Sequence, residues 1–383
     1  MKQGWEIKTI GDVCVSASSN VSQNKLADNE GDYPIYGASG LIKNVSFCHR
    51  DKPYLSIVKD GSGVGRITKM DAYTSVIGTL QYILPKENID LDYLNYSLMS
   101  VDFKKYVAGA AIPHIYFKDY KNEPFLWMPL PEQQRIVSIL DEAFAAIAKV
   151  KTNAEQNIKN AKKLFESYLQ GVFEKKGEGW GEKEFGEIIT TLTDYHANGS
   201  YEVLKANVEL KETEDFAWMI RSTDFENDFE NDFRYIDEYG YNFLSKSKVF
   251  GGEIIMSKIG NAGKVYLMPR VDRPCSLAMN LFLIRLDEKK AIPEFIFHYL
   301  KSYSGDFQIK SRLQGATTKT ITKDNVRSII IPLPTLKDQK VIINKFTALS
   351  VETKRLETIY QQKILDLEEL KKSVLQKAFN GKL

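Results

Sequence analysis

Two stretches of this chain carry apolar residues at helical spacing for much longer than an ordinary helix. In the first, Leu140, Ala143, Ile147, Val150, Ala154, Ala161, Leu164 and Tyr168 follow one another by threes and fours and their multiples. In the second, Phe346, Leu349, Leu356, Tyr360, Leu367, Leu370 and Val374 stand in the equivalent frame. The pattern predicts two helices, from about Glu132 to Lys175 and from about Lys337 to Phe379. Pro129-Leu130-Pro131 and Pro332-Leu333-Pro334 stand just upstream, where proline starts a helix without loss because its missing N–H has no role there. At the α-helical rise each helix would be roughly 60 Å long. A heptad stripe of that length would leave apolar surface in water, so the two helices are expected to pack on each other as a coiled coil. Asn157 and Lys363 interrupt both seams at matching places, with Ile158 and Ile364 beside them. Such a break reads either as a register-fixing polar position or as a local stutter.

Outside the helices the pattern changes to short apolar runs bounded by glycine turns. Tyr54–Val58, Thr79–Leu84, Gly252–Met256 and Leu281–Leu286 read as buried strands, and Asp60–Gly65 and Gly260–Gly263 as turns between them. Short helical patterns follow at Asp90–Tyr106 and Pro293–Tyr303. Strands and helices mixed in this way predict an α+β fold.

The chain is also written twice. Gly4-Trp5-x-x-Lys8-x-Ile10-Gly11-Asp12-Val13 aligns without a gap on Gly179-Trp180-x-x-Lys183-x-Phe185-Gly186-Glu187-Ile188, 175 residues later. At an offset of 206, Gly109-Ala110 and Ile115 match Gly315-Ala316 and Ile321, and Glu132-Gln133 matches Asp338-Gln339. Leu164, Ser167, Leu169, Gln170 and Phe173 likewise match Leu370, Ser373, Leu375, Gln376 and Phe379. The expected organisation is a globular domain over 1–130, a long helix over 131–176, a second globular domain over 177–331 and a last helix over 332–383. If the domains lie at opposite ends, the helices run antiparallel and set the distance between two similar heads.

Composition narrows the function. Lys+Arg 52 against Asp+Glu 50 gives a net charge of +2, so a nucleic-acid binder of this composition must sort its cations onto one face. Cys14, Cys48 and Cys275, with His49, His114, His196 and His298, form no CxxC or HxxxH pair, which argues against a zinc site or a disulfide framework. Neither a signal-peptide pattern nor a long uncharged apolar run is present, and a cytoplasmic location is expected.

Several short motifs resemble enzyme signatures and fail on context. Asp60-Gly61-Ser62-Gly63-Val64-Gly65 has the wrong spacing for a dinucleotide turn and leads into a strand-like Arg66-Ile67-Thr68. Gly260-Asn261-Ala262-Gly263-Lys264 lacks the spacing and the hydroxyl of a phosphate loop, and Asp141-Glu142-Ala143-Phe144 lies inside a heptad helix. Asn122-Glu123-Pro124-Phe125 approaches the adenine-methyltransferase loop but carries Glu at its second position. No catalytic residue is assigned.

What recurs in both domains is a glycine turn flanked by cations, Lys59-Asp60-Gly61-Ser62-Gly63-Val64-Gly65-Arg66 and Ser257-Lys258-Ile259-Gly260-Asn261-Ala262-Gly263-Lys264. Glycine lets backbone amides approach a phosphate, and Lys or Arg neutralises it, although a plain hairpin with surface lysines has the same sequence signature. The candidate DNA-binding residues are Lys43, Arg50, Lys59, Ser62, Arg66, Arg221, Lys246, Lys258, Asn261 and Lys264. Tyr33, Tyr36, Lys52, Arg234, Lys248, Arg270 and Arg273 complete a basic–aromatic mixture around them.

The duplicated plan and its wording resemble the specificity subunit of type I restriction-modification systems. That wording is Gly-Ala-x-x-x-x-Ile, Pro-Leu-Pro, (Glu/Asp)-Gln and a long helix with Ser-x-Leu-Gln-x-x-Phe. The resemblance covers the whole chain. It implies that each globular domain is a target recognition domain reading one half of a bipartite site in double-stranded DNA. It implies that the antiparallel helices space the two domains and dock modification subunits, two of them expected. S-adenosylmethionine, and ATP with Mg, would be bound by partner chains, restriction subunits among them where the system has any, and none by this one. The alternatives are a self-contained adenine-N6 methyltransferase and a coiled-coil scaffold that binds no DNA. One departure from the family plan is the direct run of Pro131 into Glu132-Gln133, which bears on where the first helix starts.

Overall fold

The computed structural model describes residues 4–383. The chain divides into two compact units, Met1–Gln156 with Ile359–Leu383, and Asn157–Thr358. The long helices run Leu130–Lys175 and Leu336–Phe379, so each unit contains a piece of both. The first begins directly after Pro129, with the amides of Glu132 and Gln133 donating to the Pro129 carbonyl.

In the first unit, Cys14–Ser18, Leu80–Pro85, Tyr54–Val58 and Ile67–Met70 form a four-stranded antiparallel sheet in that spatial order. In the second, Ile189–Asp194, Leu281–Leu286, Ile254–Ser257 and Val265–Leu267 form the same sheet in the same order. Each unit adds a smaller mixed sheet with one parallel pair. It is Tyr33–Gly37 beside Ser75–Val76 in the first unit and Ala217–Ile220 beside Cys275–Leu277 in the second. The apolar runs are buried throughout in Tyr54–Val58 and Ile254–Ser257, as a central strand covered on both faces must be.

The repeated words at the two ends of each globular part prove to be one structure. Glu6–Thr9 pairs antiparallel with Pro124–Trp127, and Gly181–Glu184 pairs antiparallel with Ile330–Leu333. Each ribbon therefore closes its domain immediately before the long helix leaves. The near-methyltransferase motif Asn122–Phe125 is absorbed here: Phe125 is fully buried in the ribbon strand, and the Glu123 carboxylate accepts from the Tyr106 hydroxyl.

Within the first unit Lys151 meets Glu368 at 2.6 Å and the Lys371 ammonium lies over the Phe144 ring, so the helix pieces run antiparallel. Within the second, Lys162 faces Glu357 and Phe173 faces Phe346, again antiparallel. The buried and half-buried positions form two unbroken heptad series in the first helix. One contains Leu140, Ile147, Ala154, Ala161 and Tyr168, the other Phe144, Lys151, Ile158, Phe165 and Val172. The same series recurs 206 residues later, from Phe346 and from Ser350. Asn157 and Lys363 thus stand beside the seam, and the period continues through Ile158 and Ile364. Leu164 and Leu370, expected in the seam, are instead 53% and 48% exposed. Each precedes a true seam position by one residue, a rotation of about 100° around the helix.

The helix ends also enter the domain cores. Ile136, Leu140, Leu375 and Ala378 are buried among Trp5, Tyr93, Phe125 and Met128 in the first unit. Leu169, Phe173 and Phe346 are buried among Phe185, Phe282, Phe295 and Ile331 in the second. Neither domain core is complete without helix side chains, which couples folding of the heads to folding of the helices.

Candidate nucleic-acid interface

Both glycine turns follow the central strand of the four-stranded sheet, and both are closed by backbone bonds. Gly65 donates to the Val58 carbonyl at 2.9 Å and Gly263 to the Ser257 carbonyl at 2.8 Å. Both glycines have positive φ, +85° in each case, and a Cβ at either would strike the Phe103 or the Ile309 side chain. Glycine is required twice over there. Beside each turn lies a second loop built from the repeated Gly-Ala…Ile. Ala108 bridges to His114 around Gly109, and Gln314 bridges to Thr320 around Gly315. The closing isoleucine amides, Ile115 and Ile321, then donate to Lys59 and Lys258 carbonyls at 2.9 and 3.1 Å. Within each domain, therefore, the glycine turn and the Gly-Ala…Ile loop abut. Among the described residues, the amides of Gly109–Ile112 and Gly315–Lys319 make no backbone hydrogen bond, and such donors suit an anion.

The flanking cations are held by local partners. Lys59 pairs with Asp60 at 3.5 Å, and the Arg66 guanidinium donates to the Ala38 carbonyl. Lys258 pairs with Asp194 at 3.0 Å, and Lys264 with Glu226 at 2.7 Å. Ser62 and Asn261 are exposed at the turn tips. Lys43 donates to the Leu26 and Ala27 carbonyls at the end of a short 3-10 turn. Arg50 lies over the Tyr82 ring at 4.5 Å. Arg221 pairs with Asp224 at 2.7 Å and reaches Asp232, while Lys246 is exposed without an ion pair among the described residues. The structure thus brings Lys59, Ser62 and Arg66 together on one turn and Lys258, Asn261 and Lys264 on the other. Lys43, Arg50, Arg221 and Lys246 lie elsewhere in their domains.

The acidic partners are what sequence reasoning missed. Residues 224–233 read Asp-Phe-Glu-Asn-Asp-Phe-Glu-Asn-Asp-Phe, an internal repeat with a carboxylate at five of ten positions. Its rings pack inward, Phe225 on Tyr266 and Phe233 on Trp218. Its carboxylates hold Arg221, Arg234 and Lys264. Asp228, Phe229 and Asp232 adopt positive φ, unusual for residues with a Cβ and a mark of local strain. Over 177–331 Lys+Arg number 20 against 24 Asp+Glu, whereas the helical segments 131–176 and 332–383 carry 18 against 12. The sorting of charge demanded by a net +2 is therefore partly along the helices.

Among the described residues no cluster of three or more His, Cys, Asp or Glu is placed to hold a metal ion. Burial pushes the Cys14 and Cys275 thiols up to about 12, so both stay protonated at neutral pH. No helix among the described residues is long and apolar enough to cross a membrane.

Two domains built on one sheet order, each closed by a ribbon and each tied to antiparallel pieces of the two long helices, define a duplicated two-domain architecture. A sequence model of the family described as "Type I restriction modification DNA specificity domain" matches residues 2–160 and again 177–365, and the chain belongs to that family. It is 24% identical over 409 residues to the type I restriction enzyme MjaVIII specificity subunit of Methanocaldococcus jannaschii, covering 100% of this chain and 93% of the relative. A chain from a solved structure of the type I R-M system shares the fold with a TM-score of 0.74 at 16% identity, covering 100% of this chain and 99% of that one. The HsdS subunit from Thermoanaerobacter tengcongensis shares it with a TM-score of 0.61 at 15% identity, covering 100% and 98%. The protein is a type I specificity subunit, a DNA-binding component of a restriction-modification complex.

Proposed function

We propose that the domains at 1–130 and 177–331 each read one half of a bipartite DNA site, and that the helices at 131–176 and 332–383 fix the separation of the half-sites. The observation that carries this is the pairing of a common frame with unlike middles. The four-stranded sheet, the closing ribbon and the paired loops recur in both domains, whereas the smaller sheet and its connections differ. A shared frame meets what both half-sites share, the phosphate backbone, and unlike middles suit two different base sequences. Linkage then lets two modest half-site affinities give one tight site.

In this reading the chain has no catalytic residue of its own. It assembles with two modification subunits that bind S-adenosylmethionine, and with ATP- and Mg-dependent restriction subunits where the system has them, in the cytoplasm. Leu164 and Leu370, equivalent in the repeat and both exposed on the helices, suit symmetric docking of two like partners. The DNA contacts are assigned to the two glycine turns, with Lys59, Ser62 and Arg66 on one and Lys258, Asn261 and Lys264 on the other. Lys43, Arg50, Arg221 and Lys246 act in the same domains.

The test is an exchange of residues 179–331 for the corresponding segment of a relative, followed by mapping of methylated adenines in cells. One half-site is expected to change and the other to stay. Simultaneous change of both halves would overturn independent reading. Methyl transfer by the purified chain alone would favour the methyltransferase alternative instead.

A further inference from the structure

Resting on that reading, the structure assigns a phosphate-binding cleft in the second domain and names the group that occupies it before DNA arrives. A cavity of about 330 Å³ opens between the glycine turn and the helix Pro293–Lys301, lined by Glu226, Gly263, Lys264, Tyr266 and Lys301 among others. Lys264 and Lys301 supply its cations. Tyr266 supplies a hydroxyl, and Gly263 brings the backbone close at positive φ.

Glu226 fills the place an anion would take. Its Oε1 accepts from the Lys264 ammonium at 2.7 Å and from the Tyr266 hydroxyl at 3.1 Å. These two donors hold its carboxyl below the usual glutamate range. Two donors converging on one carboxylate oxygen are equally suited to a phosphodiester oxygen. Lys301 has no ion pair among the described residues. Burial, and then the nearby Lys264, push its ammonium below the ordinary lysine range; the residue as a whole is exposed and its ammonium lies 5.3 Å from the Phe297 ring, open to an incoming anion. Asp306, also in the lining, is engaged by Lys310 at 2.6 Å.

Glu226 sits in the acidic segment whose backbone enters the left-handed region at Asp228, Phe229 and Asp232. The segment is anchored by Phe225 on Tyr266 and Phe233 on Trp218, but the Glu226 side chain is exposed, so its carboxylate can leave Lys264 and Tyr266 by side-chain rotation alone. DNA entering the cleft replaces Glu226 on Lys264 and gives Lys301 its first counter-ion. The exchange of one anion for another on Lys264 lowers affinity for any duplex alike, so occupancy by Glu226 weakens non-specific and specific binding together.

The experiment uses the full chain assembled with its modification subunits, a duplex carrying its own methylated motif, and a duplex of equal length without it. Glu226→Gln is expected to raise affinity for the non-specific duplex and to steepen its salt dependence. Lys301→Met is expected to lower affinity and to make the log–log salt slope shallower by about 0.9, or about threefold between 50 and 200 mM salt. If Glu226→Gln lowers affinity or leaves it unchanged, with unaltered melting temperature, Glu226 is a structural ion-pair partner and the proposal fails. An unchanged salt slope in Lys301→Met overturns the cleft as well. Loss of all DNA binding by the unmodified complex would instead overturn the broader reading.

Discussion

Gln133 and Gln339 show how a single residue joins a domain to its helix. Both are fully buried, 206 residues apart, and make the same three hydrogen bonds. Gln133 donates to the Asn88 and Met128 carbonyls and accepts from the Asp90 amide at 2.9 Å. Gln339 donates to the Lys290 and Pro334 carbonyls and accepts from the Ile292 amide at 2.8 Å. Only a side-chain amide offers two donors and an acceptor in this arrangement; Glu in its charged form would turn both donors into repulsions. Gln133→Ala is expected to destabilise the protein by about 2–4 kcal/mol, since backbone groups lose partners they cannot recover from water. Denaturant unfolding of the full chain measures it.

His298, its ring tilted against Phe346 with centroids 4.8 Å apart, carries a pH dependence. Burial, then Lys301, lowers its pKa from 6.5 to about 4. The folded state thus holds the neutral ring while the unfolded chain takes up a proton below 6.5. Its contribution is present above pH 6.5 and is lost as pH falls toward 4, up to about 3 kcal/mol in all. Melting temperatures at pH 7 and pH 4.5 should fall less for His298→Gln than for the unsubstituted chain. At this scale the sequence displayed the repeated Gln but not its bonds, because partners 43 and 45 residues away are fixed only on folding.

Among the elements, the long helices were the most legible, and their ends lie within two residues of expectation. Their seam was less so. Apolar letters at 143, 150 and 164 compete with 144, 151 and 165, and the partner helix decides between them. Lys151 enters the seam on its aliphatic stem while its ammonium reaches Glu368. Thr353 is buried there at 5% exposure, its hydroxyl satisfied by the Ser350 carbonyl. Phe346 closes the second domain's core against Phe173, Tyr168 and His298. Phe346→Ala is expected to cost about 3–5 kcal/mol, read by chemical denaturation. Leu370→Ser, on the exposed side, should change stability by less than about 0.5 kcal/mol; in the proposed function it weakens co-purification with modification subunits.

For the whole molecule, inserting one heptad into both helices keeps the seam in phase and adds about 10 Å of helix. Under the proposed function the half-sites stay the same and their separation grows by roughly three base pairs, which methylation mapping would detect. A single-helix insertion should disturb folding instead, because each domain core draws residues from both helices.

The chain's own letters were enough to establish the duplication, the α+β class, the helix pair and the family, since each of these is carried by local periodicity or by words repeated at fixed offsets. Tertiary structure alone decided that the words at the two ends of each domain form one ribbon. It also decided that Leu164 and Leu370 face outward and that the turn cations are already engaged by carboxylates and carbonyls. The physical reason is range. Helical period acts over a few residues, whereas Glu226 and Lys264 are 38 residues apart, and an ion pair between them exists only once the sheet has brought the two segments together.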